Sequence, residues 1–207
     1  MQRLTAILRG MDVDAFWELI DHARSSARDD KHMVERVATA LEALPTEEIL
    51  DFEEQMSEAE RQAYRWKVWG AAYLINGGCS DDGFQDFRAW LMAQGRDTFT
   101  RAAADPDSLA EHSAVRRMAD SRRDGWLGLE SLRFVAEETY ERRIGDHEAF
   151  YAALTQRHAL RKARAAQHTA GEEPAHHRGP AGEDWNFDDR AEMRRRLPHL
   201  ASLFDHR

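Results

Sequence analysis

The chain has 207 residues, a formal net charge of -9, and a composition that is 42% hydrophobic and 32% charged. That length suits one generous domain, and Trp17, Trp66, Trp69, Trp90, Trp126 and Trp185 need a core to enter, which argues against global disorder. The acidic balance makes nucleic acid an unlikely partner, because a phosphate-binding protein normally displays a basic face. Its arginine clusters (Arg116-Arg117 with Arg122-Arg123, Arg157 to Arg164, Arg194 to Arg196) carry no interleaved aromatics.

Cys79 is the single cysteine, so an internal disulfide and a four-thiolate zinc site are excluded. The apolar stretch before Arg9 is too short for a signal sequence or a membrane span. The expectation is a cytoplasmic protein with no membrane partner.

Helical periodicity runs through the chain, and no β alternation accompanies it. Asp12 or Asp14 caps a first helix with Phe16, Trp17, Leu19, Ile20 and Ala23 on one stripe. Asp29-Asp30 opens a second, carrying Met33, Val37, Leu41 and Leu44. Pro45 stops it, and Thr46 is the expected N-cap of a third. Ser57-Glu58-Ala59-Glu60 reads as a capping box that starts another helix. Val68 to Ile75 has no charge on any face, which predicts a central helix packed on all sides. Asn76-Gly77-Gly78 ends it, because glycine tolerates the left-handed closure of a helix.

Ser80-Asp81-Asp82 caps the next helix, where Phe84, Phe87, Trp90 and Leu91 share a stripe up to Gly95. A short helix over 96–104 follows, then a segment from Asp107 or Ser108 through Met118. A long helix is expected near Leu127 to Ile144, and a last long one from His147 to Gln167. His168 to Gly182 holds no hydrophobe larger than alanine and predicts a flexible linker. The expected organisation is therefore all-α. Residues 1–10 form an extension, 11–167 a compact multi-helix domain, 168–183 a linker, and 184–207 a segment that docks on the domain through Trp185, Phe187, Leu197 and Phe204.

The stretch from Trp69 to Leu91, with its Gly77-Gly78-Cys79-Ser80-Asp81-Asp82-Gly83-Phe84 centre, resembles a bacterial domain-of-unknown-function family, number four-two-four-zero. Phe16 to Ile20, Asp105 to Ala110, Phe134 to Ala136 with Tyr140, Trp185 and Leu197 to Leu200 extend the resemblance from about Asp12 to Phe204. It implies a domain identity and supplies no activity.

The same stretch holds the candidate site: Tyr73, Asn76, Cys79, Ser80, Asp81, Asp82, Asp86 and Arg88. Cys79 precedes a helix N-terminus, which favours a thiolate, but Asp81 and Asp82 oppose it and no histidine is near in sequence. A packing role is favoured. Asp81, Asp82 and Asp86 are oxygen donors suited to a hard cation, yet they match no loop signature. Capping, and an ion pair from Arg88 to Asp81, explain them as well. Two helix ends meeting here also make a recognition cleft for a protein or small-molecule partner. The rival reading is a metal-assisted enzyme using Asp81, Asp82 and a distant Glu137 or histidine; Glu137, Glu138 and Glu141 otherwise form a solvated acidic face, from which one inward glutamate could pair with Arg88 or Arg96. His168, His176 and His177 form a weaker metal candidate. No phosphate loop, nucleophile elbow or zincin motif is present, and no cofactor is implied.

Overall fold

The computed structural model describes residues 10–121, 125–168 and 179–204. Among them the fold is all-α, in the order α1 (Val13–Ser25), α2 (Asp30–Glu42), α3 (Thr46–Ala63), α4 (Trp66–Asn76), α5 (Asp81–Ala93) and α6 (Arg96–Ala104). A 3-10 helix (Pro106–Glu111) follows, then α7 (Ser113–Ser121), α8 (Glu130–Arg133), α9 (Val135–Ile144), α10 (His147–His168), α11 (Arg190–Arg196) and α12 (Pro198–Phe204).

The starts of the first two helices obey capping chemistry. Asp12 accepts from Ala15 N–H and Asp29 from His32 N–H, so each carboxylate satisfies an amide of the first turn. Pro45 holds the N-cap position of α3, which has no side-chain cap. Thr46 instead begins the helix. The Ser57 capping box is overturned: α3 runs unbroken through it, and Ser57 Oγ donates to the Glu53 carboxylate. Buried Ile49, Phe52, Met56, Ala59 and Ala63 keep one stripe alive across that point, so nothing there frees the backbone to restart. The real break lies at Tyr64-Arg65, where the chain turns extended and pairs with Ala181 by Ala181 N–H to Tyr64 O and Trp66 N–H to Ala181 O.

The expectation of a central α4 needs correcting as well. Val68, Ala71, Ala72 and Ile75 are sealed, but Trp69, Tyr73 and Leu74 are only half-buried. The most enclosed helix is α5, buried continuously from Phe87 to Ala93. It packs against α1, α3, α4, α6 and α8. The long helix expected over 127–144 is also broken. Residues 125–129 have no regular secondary structure, α8 is one turn, and α9 starts after Phe134. The expected linker falls largely outside the described residues, as do residues 1–9.

The segment from Trp185 to Phe204 lies against α4 and the 3-10 helix. Buried Asp107 accepts from His199 N–H and Leu200 N–H, so a carboxylate on the 3-10 helix caps the first turn of α12 across a long sequence separation. Trp185 lies on Gly70: a methyl at that glycine would sit 2.4 Å from Trp185 Cζ2. Only a residue without a Cβ lets the indole lie this close to the α4 backbone. Gly70→Ala is expected to destabilise the protein by about 1–3 kcal/mol through overpacking. In a double-mutant cycle followed by denaturant melts, Trp185→Ala in the Gly70→Ala background should add less than it does alone. Strictly additive losses would contradict this contact.

Candidate functional site

The reversal between α4 and α5 organises the site. Gly77 closes α4 in the left-handed region (φ 71°, ψ 34°) and Gly78 follows at φ 129°. A side chain at either position would be strained, so the glycine pair is what allows the helix to stop and turn within so few residues. Ser80 then caps α5 by accepting from Gly83 N–H at 3.2 Å.

The candidate residues around this elbow divide into two kinds. Asn76, Cys79 and Asp86 are built into the scaffold. The Asn76 amide grips the backbone of Leu127 in both directions, Leu127 N–H to Oδ1 at 3.0 Å and Nδ2 to Leu127 O at 3.2 Å. Leu129 N–H donates to Asp86 O, and the Asp86 carboxylate pairs with Arg133 at 2.9 Å. Together these bonds hold Leu127 and Leu129 beside the elbow and take the backbone groups a helix would need there. Cys79 is fixed by its carbonyl, which accepts from Trp69 Nε1 at 3.0 Å. Burial pushes its thiol up to about 12, with Asp86 and then Asp81 adding in the same direction. A group so seldom ionised is a poor nucleophile; burial is the main cause, and of the two aspartates expected to oppose the thiolate only Asp81 contributes.

Tyr73, Asp81, Asp82 and Arg88 face openings or solvent. Asp81 and Asp82 are exposed in the first turn of α5. The Arg88–Asp81 ion pair does not form: Arg88 Nη1 donates instead to the backbone carbonyl of Glu60 at 2.9 Å. Glu137 does not reach Arg88 or Arg96. It accepts from Tyr151 OH and lies 3.1 Å from His147 Nδ1, while Arg96 pairs with Asp14. Among the described residues no three His, Cys, Asp or Glu side chains are arranged to hold a metal ion. The side chains of His168, His176 and His177 lie outside the described residues.

Two openings flank the elbow. The first is a groove of about 340 Å³ between α4 and the C-terminal segment. Tyr73, Leu74 and Gly77 form one side; Phe187, Asp188, Met193 and Phe204 form the other, with Arg190 and Arg194 in the lining. Tyr73 OH donates to Asp188 at 2.6 Å and its ring lies 5.4 Å from that of Phe187, so phenol and carboxylate tie the two sides together. That bond raises the Tyr73 hydroxyl above its usual range. The second opening, also about 340 Å³, lies between α3 and α5 and is lined by Ser57, Glu60, Arg61, Tyr64, Asp81, Phe84, Gln85 and Arg88.

Aromatic rings connect the two. Trp66 stacks on Trp69, Trp69 on Phe84 at 4.8 Å, and Phe84 on Tyr64, with the Arg88 guanidinium 5.0 Å from the Tyr64 ring. The sequence stripe placed Phe84 in the core correctly, but it gave no sign of Tyr64, Glu60, Phe187 or Asp188, which come from remote segments. Trp126 was also missed. Expected to enter the core with the other tryptophans, it is instead 50% exposed beside Gly83, and its place between Gly125 and Gly128 was the available signal.

The family described as "Protein of unknown function (DUF4240)" matches residues 11–142, more than half of the chain. The chain belongs to this family. All eight residues of the α3–α5 cavity fall inside the DUF4240 match, whereas the groove takes one of its sides from Phe187 to Phe204, beyond it. No curated protein and no solved structure matches the chain.

Behind the α3–α5 cavity, Ser57 Oγ donates to the carboxylate of Glu53. Burial pushes the Glu53 carboxyl up to about 8, and the neighbouring Glu60 charge adds to it. An acid whose pKa is raised by folding holds its proton in the native state after the unfolded chain has released it. Stability from Glu53 is therefore complete below about 4.5 and is lost as pH rises toward 8. Glu53→Gln, neutral throughout, should melt higher than the parent at pH 8, with the gain shrinking toward pH 5. A gain that is equal at both pH values, or a loss at pH 8, would contradict the shift.

Proposed function

We propose that this DUF4240 chain is a non-catalytic binding module whose ligand enters the groove beside Gly77. The groove itself carries the reading. Its sides are mostly apolar, from Leu74, Phe187, Met193 and Phe204, and its polar groups are few and placed, with Tyr73 held on Asp188. That is the usual make-up of a small-molecule or side-chain pocket, and about 340 Å³ lies at the small end of the range. The occupant is a compact apolar ligand, or an apolar side chain of a protein partner, with a polar end directed toward Asp188 and the arginines. The metal-assisted alternative has less support, because Glu137 is engaged by Tyr151 and His147 while Asp81 and Asp82 stand exposed with no third ligand gathered beside them among the described residues.

The anionic naphthalene dye 1-anilinonaphthalene-8-sulfonate has such an apolar body and a charged end. The folded protein should enhance its fluorescence with one-to-one stoichiometry. Leu74→Trp, which fills the groove from the α4 side, should weaken binding by about tenfold or more while the protein still melts cooperatively. Fluorescence that rises only on unfolding, or that is unchanged in Leu74→Trp, would overturn the reading.

A further inference from the structure

The α3–α5 cavity is a separate opening with a different chemistry. Arg88 is 8% exposed, and an arginine this buried normally meets a carboxylate, since an uncompensated buried charge is costly. Here Nη1 donates to the Glu60 carbonyl, and among the described residues Nε is buried without a partner and no carboxylate forms an ion pair with the guanidinium. The neighbouring arginines are committed elsewhere: Arg61 pairs with Glu58, and Arg133 with Asp86 and Gln85. Glu60 lines the same cavity and its carboxylate likewise makes no hydrogen bond or ion pair. Buried Arg88 and half-buried Glu60 thus share a small cavity with exposed Asp81 and the paired Arg61, and among the described residues neither Arg88 nor Glu60 is neutralised by direct contact. Half-exposed Tyr64 and the edge of Phe84 supply an apolar flank beside them.

We propose that this cavity binds a small α-amino acid as its zwitterion, with the carboxylate on Arg88, the ammonium on Glu60 and the side chain against Tyr64. A guanidinium recognises a carboxylate by charge-assisted hydrogen bonds, and a carboxylate recognises an ammonium in the same way. A ligand with one charge of each sign satisfies both groups at once and adds no net charge to the cavity. Burial holds the Glu60 carboxyl above its usual range even with Arg88 and Arg133 nearby, so an added cation would stabilise its ionised form. Binding here does not depend on the groove at Tyr73, because the two share no lining residue.

The test titrates the full chain with L-leucine, L-phenylalanine and L-glutamate, following backbone amide signals by NMR. Each ligand is paired with its carboxamide, which lacks the carboxylate, and its N-acetyl derivative, which lacks the ammonium. At least one free amino acid should shift the amides of Tyr64, Gln85 and Arg88, and both derivatives should bind about tenfold more weakly or worse. Glu60→Gln, which preserves shape, should remove the discrimination against the N-acetyl form. Arg88→Lys should weaken the free amino acid in a protein whose amide spectrum stays dispersed. No shifts with any of the three at about 10 mM, well above millimolar affinity, would overturn the proposal. So would N-acetyl derivatives that bind as well as the parents, which would mark a plain carboxylate site.

Discussion

The structure depends on one backbone constraint, the reversal at Gly77-Gly78. Two successive residues at positive φ end α4 and release the chain toward Ser80, which caps α5. The elbow is held in place by two side chains of α4. Asn76 reads both polar groups of Leu127, and Trp69 donates to the carbonyl of Cys79. Buried amide bonds of this kind add modestly when made and cost about 1–3 kcal/mol when one partner is removed. The elbow is therefore a fixed point, and the openings on either side of it keep their shape because it does.

Packing extends that fixed point outward. The ladder from Trp66 through Trp69 and Phe84 to Tyr64 joins the groove to the cavity without a polar gap, and Phe187 closes on its outer face. The C-terminal segment is fastened at two places by different physics. Trp185 uses the absence of a side chain at Gly70, and Asp107 supplies the capping carboxylate that α12 lacks from its own sequence. A basic outer helix is pinned in a third way, with Arg157 on Asp51 and Arg161 on the buried Glu54. Arginines that looked like a basic cluster in sequence are, in these cases, spent on internal acids.

Much of the fold was legible because local signals and packing agree for most helices. Asp12, Asp29 and Ser80 cap where expected, and the Phe84–Leu91 stripe is buried as its spacing requires. The failures share a cause. Ser57-Glu58-Ala59-Glu60 has the letters of a capping box, but the stripe from Ile49 to Ala63 continues through it, and tertiary burial overrides the local signal. Residues 127–129 were read as helix, but their backbone groups are taken by Asn76 and Asp86, contacts invisible to periodicity. At the site, spacing along α5 suggested that Arg88 meets Asp81, when a carbonyl on α3 was the nearer acceptor. Spacing reports neighbours on one helix; Tyr73 with Asp188, and Arg88 with Tyr64, are decided between segments.

We propose that this DUF4240 protein meets its ligand beside the Gly77-Gly78 elbow. The most direct measurement is a fragment screen by NMR on the full chain, with every hit mapped by its amide shifts. The account predicts that hits cluster on Tyr73, Leu74, Gly77 and Phe187 or on Tyr64, Gln85 and Arg88. Hits gathered on α6, α7 or α10, with the elbow silent, would contradict it.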